Sequence, residues 1–369
     1  MLYTNDVDSL IESAYEQKAF PGAVCVVGRG DKVFYRKVIG YSRWFTDDDP
    51  CLDPVPDAER GIIPVTYDTL WDLASCSKLV STTMIALRFL EKGMMTMRDT
   101  IGMYFPDAPE DKKYISIARL MTHTSGFNAY FHLFEIEGDN SKTVEKILNH
   151  PLDYETGTKC IYSCMGFILL AKILEKISGK TIDVLADEYV FRPLGMTRTC
   201  YNPLQHGYSP DEIAATEYNA EMGKYICGVV HDENARSLDG LSGNAGVFSC
   251  ADDMVKFSSM LSKRGEGFLS HGCFEAAVTN RTPGMMDGDM NRGWGFQLLG
   301  ENEFSAMSDL YSVGSYGHNG FTGPSLYVDN RTGIYTLFLC NRVHFTRQSD
   351  RIFRFRRLLH NAVISAFDR

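Results

Sequence analysis

Residues 71–93, WDLASCSKLVSTTMIALRFLEKG, read as a helix without a solvent face. After Lys78 the segment carries Leu79, Val80, Met84, Ile85, Leu87 and Leu90, so apolar side chains point in every direction. That pattern belongs to a helix buried at the centre of a domain. At its start stand Ser75 and Lys78, three apart and therefore on one helical face. A hydroxyl at that point sits near unpaired backbone N–H groups that can stabilise an oxyanion. A lysine partly desolvated at the mouth of the helix should have a lowered pKa and so serve as a base. Taken alone, however, the pair reads more simply as a capping serine and a solvated lysine, because a chain of this length produces one S-x-x-K by chance.

The flanking sequence predicts an α+β fold. Residues 5–18 place Val7, Leu10, Ile11 and Ala14 on one stripe, with Asn5 or Asp6 available as a cap, and Pro21-Gly22 stop the helix. AVCVVGRGDKVFYRKVIGYSR (23–43) then reads as a hairpin turning at Gly30-Asp31. SLYVDNRTGIYTLFLCNRV (325–343) is a second hairpin, followed by a helix over 350–367 with Ile352, Phe355, Leu359 and Val363 on one face. The expectation is one antiparallel sheet built from both termini, with the terminal helices on the same face. From 96 to 225 the pattern is mostly helical. The predicted organisation is therefore an α/β domain of residues 1–95 and 226–369, an inserted helical domain of residues 96–225, and an active site in the cleft between them.

Composition excludes several classes of function. Lys+Arg 37 against Asp+Glu 47 gives a net charge of −10, which argues against a nucleic-acid partner. No apolar run has the length of a membrane span, and the N-terminal residues show no signal-peptide pattern. The ten cysteines form no C-x-x-C and the nine histidines no H-x-x-x-H, so neither a metal site nor a cofactor is expected. Free thiols in a cytoplasmic protein are the expectation. The partner expected is a small-molecule or peptide substrate.

Two further stretches change the reading of Ser75 and Lys78. YETGTKCIYSCMGFILLAKILEKISGK (154–180) places Tyr162, Ser163 and Cys164 at the start of another apolar helix, and SYGHNGFTGPSLYVD (315–329) places His318-Asn319-Gly320 before a strand. Alone, each is an ordinary core tyrosine or surface turn. In this order, S-x-x-K, Y-x-x and H-x-G resemble the serine β-lactamase and penicillin-binding protein superfamily, closest to class C β-lactamases, D,D-peptidases and their esterase relatives. IARLMTHTSGF (117–127), FRPLGMTRT (191–199) and GVVHDENARSLDGLSGNAGVFS (228–249) are similar to further segments of that superfamily.

The resemblance implies a β-lactamase/transpeptidase-like fold and a serine hydrolase acting on an amide, lactam or ester. It implies Ser75 as the acylated nucleophile, Lys78 and Tyr162 as the base system, and His318 on the strand edge that binds substrate. The backbone N–H groups of Ser75 and Phe321 would form the oxyanion hole. His123 is expected to support the fold, and His231-Asp232 to form a hydrogen-bonding corner. Two departures bear on substrate. Cys164 replaces the asparagine of Y-x-N, and a thiol donates weakly; His318 in place of lysine weakens pairing with a carboxylate at neutral pH. Both point to D,D-peptidase-, aminopeptidase- or esterase-like activity over efficient β-lactam hydrolysis. Cys164 also motivates the alternative of a catalytically weak relative with a binding or assembly role.

Overall fold

A computed structural model describes residues 4–48, 50, 62–136, 139–285, 291–300 and 307–368. Cys51 lies outside the described residues; the other nine cysteines are free.

The two hairpins form the centre of one antiparallel sheet. β1 (Gly22–Arg29) and β2 (Lys32–Arg43) make the first hairpin, with β3 (Ile63–Pro64) on the outer edge of β2. On the far side lie β4 (Gln297–Leu298), β5 (Tyr316–Asn319), β6 (Ser325–Val328) and β7 (Ile334–Cys340). The strand order is β3-β2-β1-β7-β6-β5-β4, so the first and last hairpins join through β1 and β7.

β1 is buried on both faces, and its period of two divides the core. Ala23, Cys25 and Val27 face the helices α1 (Thr4–Glu16) and α5 (Arg351–Phe367), which pack on each other over that side of the sheet. Val24 and Val26 face the opposite way, into the larger core with Leu79, Val80 and Met84. α1 covers Thr4–Glu16, so Asn5 and Asp6 both lie within the helix and neither caps it. Two other helices matter for the site, α3 (Cys164–Ser178) and α4 (Ala251–Ser262).

The segment 71–93 is central, as its pattern predicts. Trp71-Asp72 pairs with Val247–Ser249, Lys78–Thr83 is wound as a π-helix, and α2 (Met84–Glu91) continues it. Every residue from Cys76 to Leu87 is buried. Each large aliphatic side chain there contributes roughly 1.5–3 kcal/mol of burial free energy. The π-helical winding was not legible in the sequence, and such segments recur at functional sites. Among the described residues no helix is long and apolar enough to cross a membrane.

Candidate active site

The site begins with a strained residue. Ala74 has φ +45°, an uncommon conformation for a side chain with a Cβ. It is held there by Asp72, whose buried carboxylate accepts from the Ala74 N–H at 2.8 Å and from the His231 N–H at 2.7 Å. Ser75 follows at the helix mouth and is the one partly exposed residue in the run 70–86.

Lys78 is fully buried. Its Nζ donates to Ser75 Oγ at 3.1 Å and to the Asn244 carbonyl at 2.9 Å, and lies 3.5 Å from Cys164 Sγ. It also sits 4.8 Å from the centre of the Tyr162 ring. Burial lowers the lysine, while the neighbouring Cys164 and Tyr162 raise it, and the balance places Lys78 above the ordinary lysine range. This reverses the direction expected from sequence. The reason is tertiary: an ionisable thiol 86 residues away in the chain shares the pocket.

Tyr162 precedes α3, whose N-cap Ser163 accepts from the Gly166 N–H. His123, itself at φ +57°, accepts from the Ser163 N–H at 3.0 Å through Nδ1, and its ring lies 4.7 Å from the Tyr162 ring. Burial pushes the Tyr162 phenol up to about 12, against the pull of Lys78. Its hydroxyl makes no hydrogen bond of good geometry, yet Lys78 and Ser75 are near enough to influence its charge. Burial also raises Cys164. Cys160 turns away and donates to the Thr122 carbonyl, so the two thiols do not face one ligand.

His318 sits on β5 with its Nδ1 2.7 Å from the Asn319 carbonyl, which requires the proton on Nδ1 and leaves Nε2 a bare acceptor. Burial, with Arg292 and Lys78 nearby, pushes His318 down to about 3. It is therefore a neutral imidazole at physiological pH. Asn319, which also borders the Ser75 cavity, donates to Tyr327 Oη at 2.7 Å. Gly320 packs against the turn that leads into Ser75: a Cβ there would lie 2.5 Å from the Leu73 carbonyl oxygen. Thr322 ties the same turns together by donating to the Asp72 carbonyl.

Ser75, Tyr162, Arg292, His318 and Phe321 line one cavity of about 320 Å³. Among the described residues, larger cavities of about 580, 610 and 340 Å³ contain neither Ser75 nor Lys78. The chemistry, not the size, identifies the site. Arg292 was missed by the sequence reading. Its guanidinium is buried 5.5 Å from the Tyr162 ring and places a positive charge near the neutral His318. Only its position in no recognisable motif kept it hidden. Asn244 was likewise passed over, although it falls in GNAG (243–246). His231 and Asp232 form a structural corner: His231 Nε2 meets Glu217 at 2.9 Å, and Asp232 caps the following helix.

A serine hydroxyl against a buried lysine, beside a sheet edge and under a tyrosine, defines a serine hydrolase of the β-lactamase/transpeptidase-like fold. The family model for Beta-lactamase matches residues 7–360, and the chain belongs to that family of hydrolases. It is 32% identical over 366 residues to the N-acetylmuramyl-L-alanine amidase of Bacillus subtilis strain 168, covering 92% of this chain and 80% of that protein. It is 30% identical over 368 residues to a putative D-alanyl-D-alanine carboxypeptidase of Escherichia coli O157:H7, covering 92% and 82%. Among solved structures, EstCE1, a hydrolase with promiscuous acyltransferase activity, aligns at a TM-score of 0.74 over 97% of this chain and 98% of that one. At 20% identity that likeness concerns the fold alone.

Proposed function

We propose that the chain is an acyl-serine hydrolase acting on a peptide or ester whose leaving side carries a carboxylate, in the manner of a D,D-carboxypeptidase. The observation that carries this reading is the 3.1 Å contact from buried Lys78 Nζ to Ser75 Oγ. The cleft would lie between the sheet domain of residues 1–95 and 226–369, which supplies Ser75 and His318, and the helical region of residues 96–225, which supplies Tyr162.

Ser75 Oγ attacks the acyl carbon while its proton passes to the Lys78–Tyr162 pair. The C–O double bond opens to an oxyanion held by the N–H groups of Ser75 and Phe321. Collapse expels the amine or alcohol, which takes the proton back. Water then adds to the acyl-Ser75 ester, passing its proton to the same pair, and releases the acid. Arg292 supports recognition of an anionic substrate, and the bare Nε2 of His318 offers an acceptor for a substrate N–H. The amidase and carboxypeptidase names of the relatives agree with amide substrates. The exposed Phe321 ring at the mouth favours esters with apolar acyl groups as a second substrate class.

The test is labelling by a fluorescent penicillin and a fluorophosphonate, followed by turnover of nitrocefin, a D-Ala-D-Ala peptide and short p-nitrophenyl esters. Wild type should label and Ser75→Ala should not, with turnover of the preferred substrate falling to background. Failure of every acylating probe to label the wild type would refute the proposal in favour of a binding role.

A further inference from the structure

Against the turn that follows β5, and bordering the Ser75 cavity, lie two buried cations. Arg356, on α5, is 1% exposed, and Arg342, just after β7, is 3% exposed. Neither forms an ion pair among the described residues; both spend their donors on backbone carbonyls. Arg356 Nη2 donates to the carbonyls of Gly320 at 3.1 Å, Pro324 at 3.2 Å and Gly323. Arg342 Nε donates to the Phe321 carbonyl at 2.8 Å, and its Nη1 to those of Arg347 and Ser349. Burying a guanidinium without a counter-ion is costly, so the carbonyls it holds mark what the fold gains.

The Gly320 carbonyl and the Phe321 N–H belong to one planar, trans peptide unit and point in opposite directions. A donor fixed on the carbonyl fixes the direction of the N–H. A cation on the carbonyl also polarises the unit, making its N–H a stronger donor. Ser75, Phe321, Arg342 and Arg356 all border one cavity, and Gly320 packs on Leu73; Arg356 holds the Gly320 carbonyl, so the N–H of the same peptide points away from that contact.

We infer that Arg356, assisted by Arg342, is a positioning residue for catalysis, clamping the Gly320–Phe321 peptide so that its N–H is aimed and polarised toward the oxyanion. This rests on the assignment of the Phe321 N–H to the oxyanion hole. The Arg342 clamp acts on the next peptide of the same turn and restricts its rotation from the other side. Arg342 also lies 4.7 Å from the Phe321 ring centre, which keeps that side chain from swinging across the donor.

The test compares wild type with Arg356→Met, Arg356→Lys and Arg342→Gln, using a p-nitrophenyl ester and an arylboronic acid. The boronic acid adds to Ser75 Oγ, and one of its oxygens occupies the oxyanion position. Arg356→Met should lower kcat/KM about 10²-fold, as loss of one oxyanion donor does, with KM moved less than threefold. Boronate affinity should fall by a similar factor, and Arg356→Lys should recover part of both. A variant that loses thermal stability while kcat/KM and boronate affinity stay within threefold of wild type would overturn the inference. So would a loss of kcat/KM with boronate affinity intact. If Arg356→Met does not fold, the same proportionality is read from Arg356→Lys and Arg342→Gln. Absence of acylation in the wild type would instead refute the proposed function, whatever the variants do.

Discussion

Gly320→Ala probes the contact between the oxyanion turn and the nucleophile turn. The added Cβ would stand 2.5 Å from the Leu73 carbonyl oxygen and 3.3 Å from the Ala74 Cβ, where ordinary contact begins at 3.4 Å. The turn must therefore retreat by about 0.9 Å, because the obstacle is backbone and no flexible side-chain end can yield. Overpacking of this kind costs about 1–3 kcal/mol of stability. A displacement near 1 Å between reacting groups costs about 10²-fold in rate. The expected result is a kcat/KM for a p-nitrophenyl ester reduced about 10²-fold and a Tm lower by several degrees. Gly272→Ala is the control. Its Cβ meets open space in the exposed first turn of the helix His271–Val278, so it should leave kinetics unchanged and add up to about 1 kcal/mol through helix propensity. The assay is stopped-flow acylation with thermal unfolding on the same samples. A Gly320→Ala protein that acylates within threefold of wild type would refute the placement of the oxyanion donor at Phe321.

Two further outcomes follow from charge. Arg292→Gln should raise KM for a carboxylate-terminated peptide at least tenfold more than for a neutral ester, measured on the two substrates side by side; equal effects would remove Arg292 from substrate recognition. Lys78 lies above its ordinary range and Tyr162 at about 12, so both are protonated at neutral pH. The active, deprotonated fraction then grows about tenfold per pH unit, and log kcat/KM should rise with a slope near +1 from pH 6 to 9. His318, at about 3, is already neutral across that window. The slope should persist in His318→Gln, and a limb that vanished there would assign the titration to His318 instead.

The pieces of the fold that repeat a local pattern were legible. Period-two alternation in 23–43 and 325–343 and the apolar stripe of 350–367 depend on near neighbours in sequence, and they reappear as β1, β2, β6, β7 and α5. Ser75, Lys78, Tyr162 and His318 were legible as ordered motifs, and one cavity gathers Ser75, Tyr162 and His318, with Lys78 3.1 Å behind Ser75. Asn319 shows the limit of such reading. Its place in the motif suggested a role toward substrate, and it does line the Ser75 cavity, but the motif could not show that its amide donates to Tyr327.

By itself the amino-acid sequence determined the main strands and the buried helix, because these follow from side-chain type and spacing, and its ordered motifs singled out Ser75 as the proposed nucleophile. Only the tertiary structure decided the direction of the Lys78 shift, the place of Arg292 beside Tyr162 and the contacts of Arg356 with the Gly320, Gly323 and Pro324 carbonyls. Each depends on groups far apart in the chain meeting in a desolvated space, where a few ångströms decide which charge is stabilised and where a peptide N–H points.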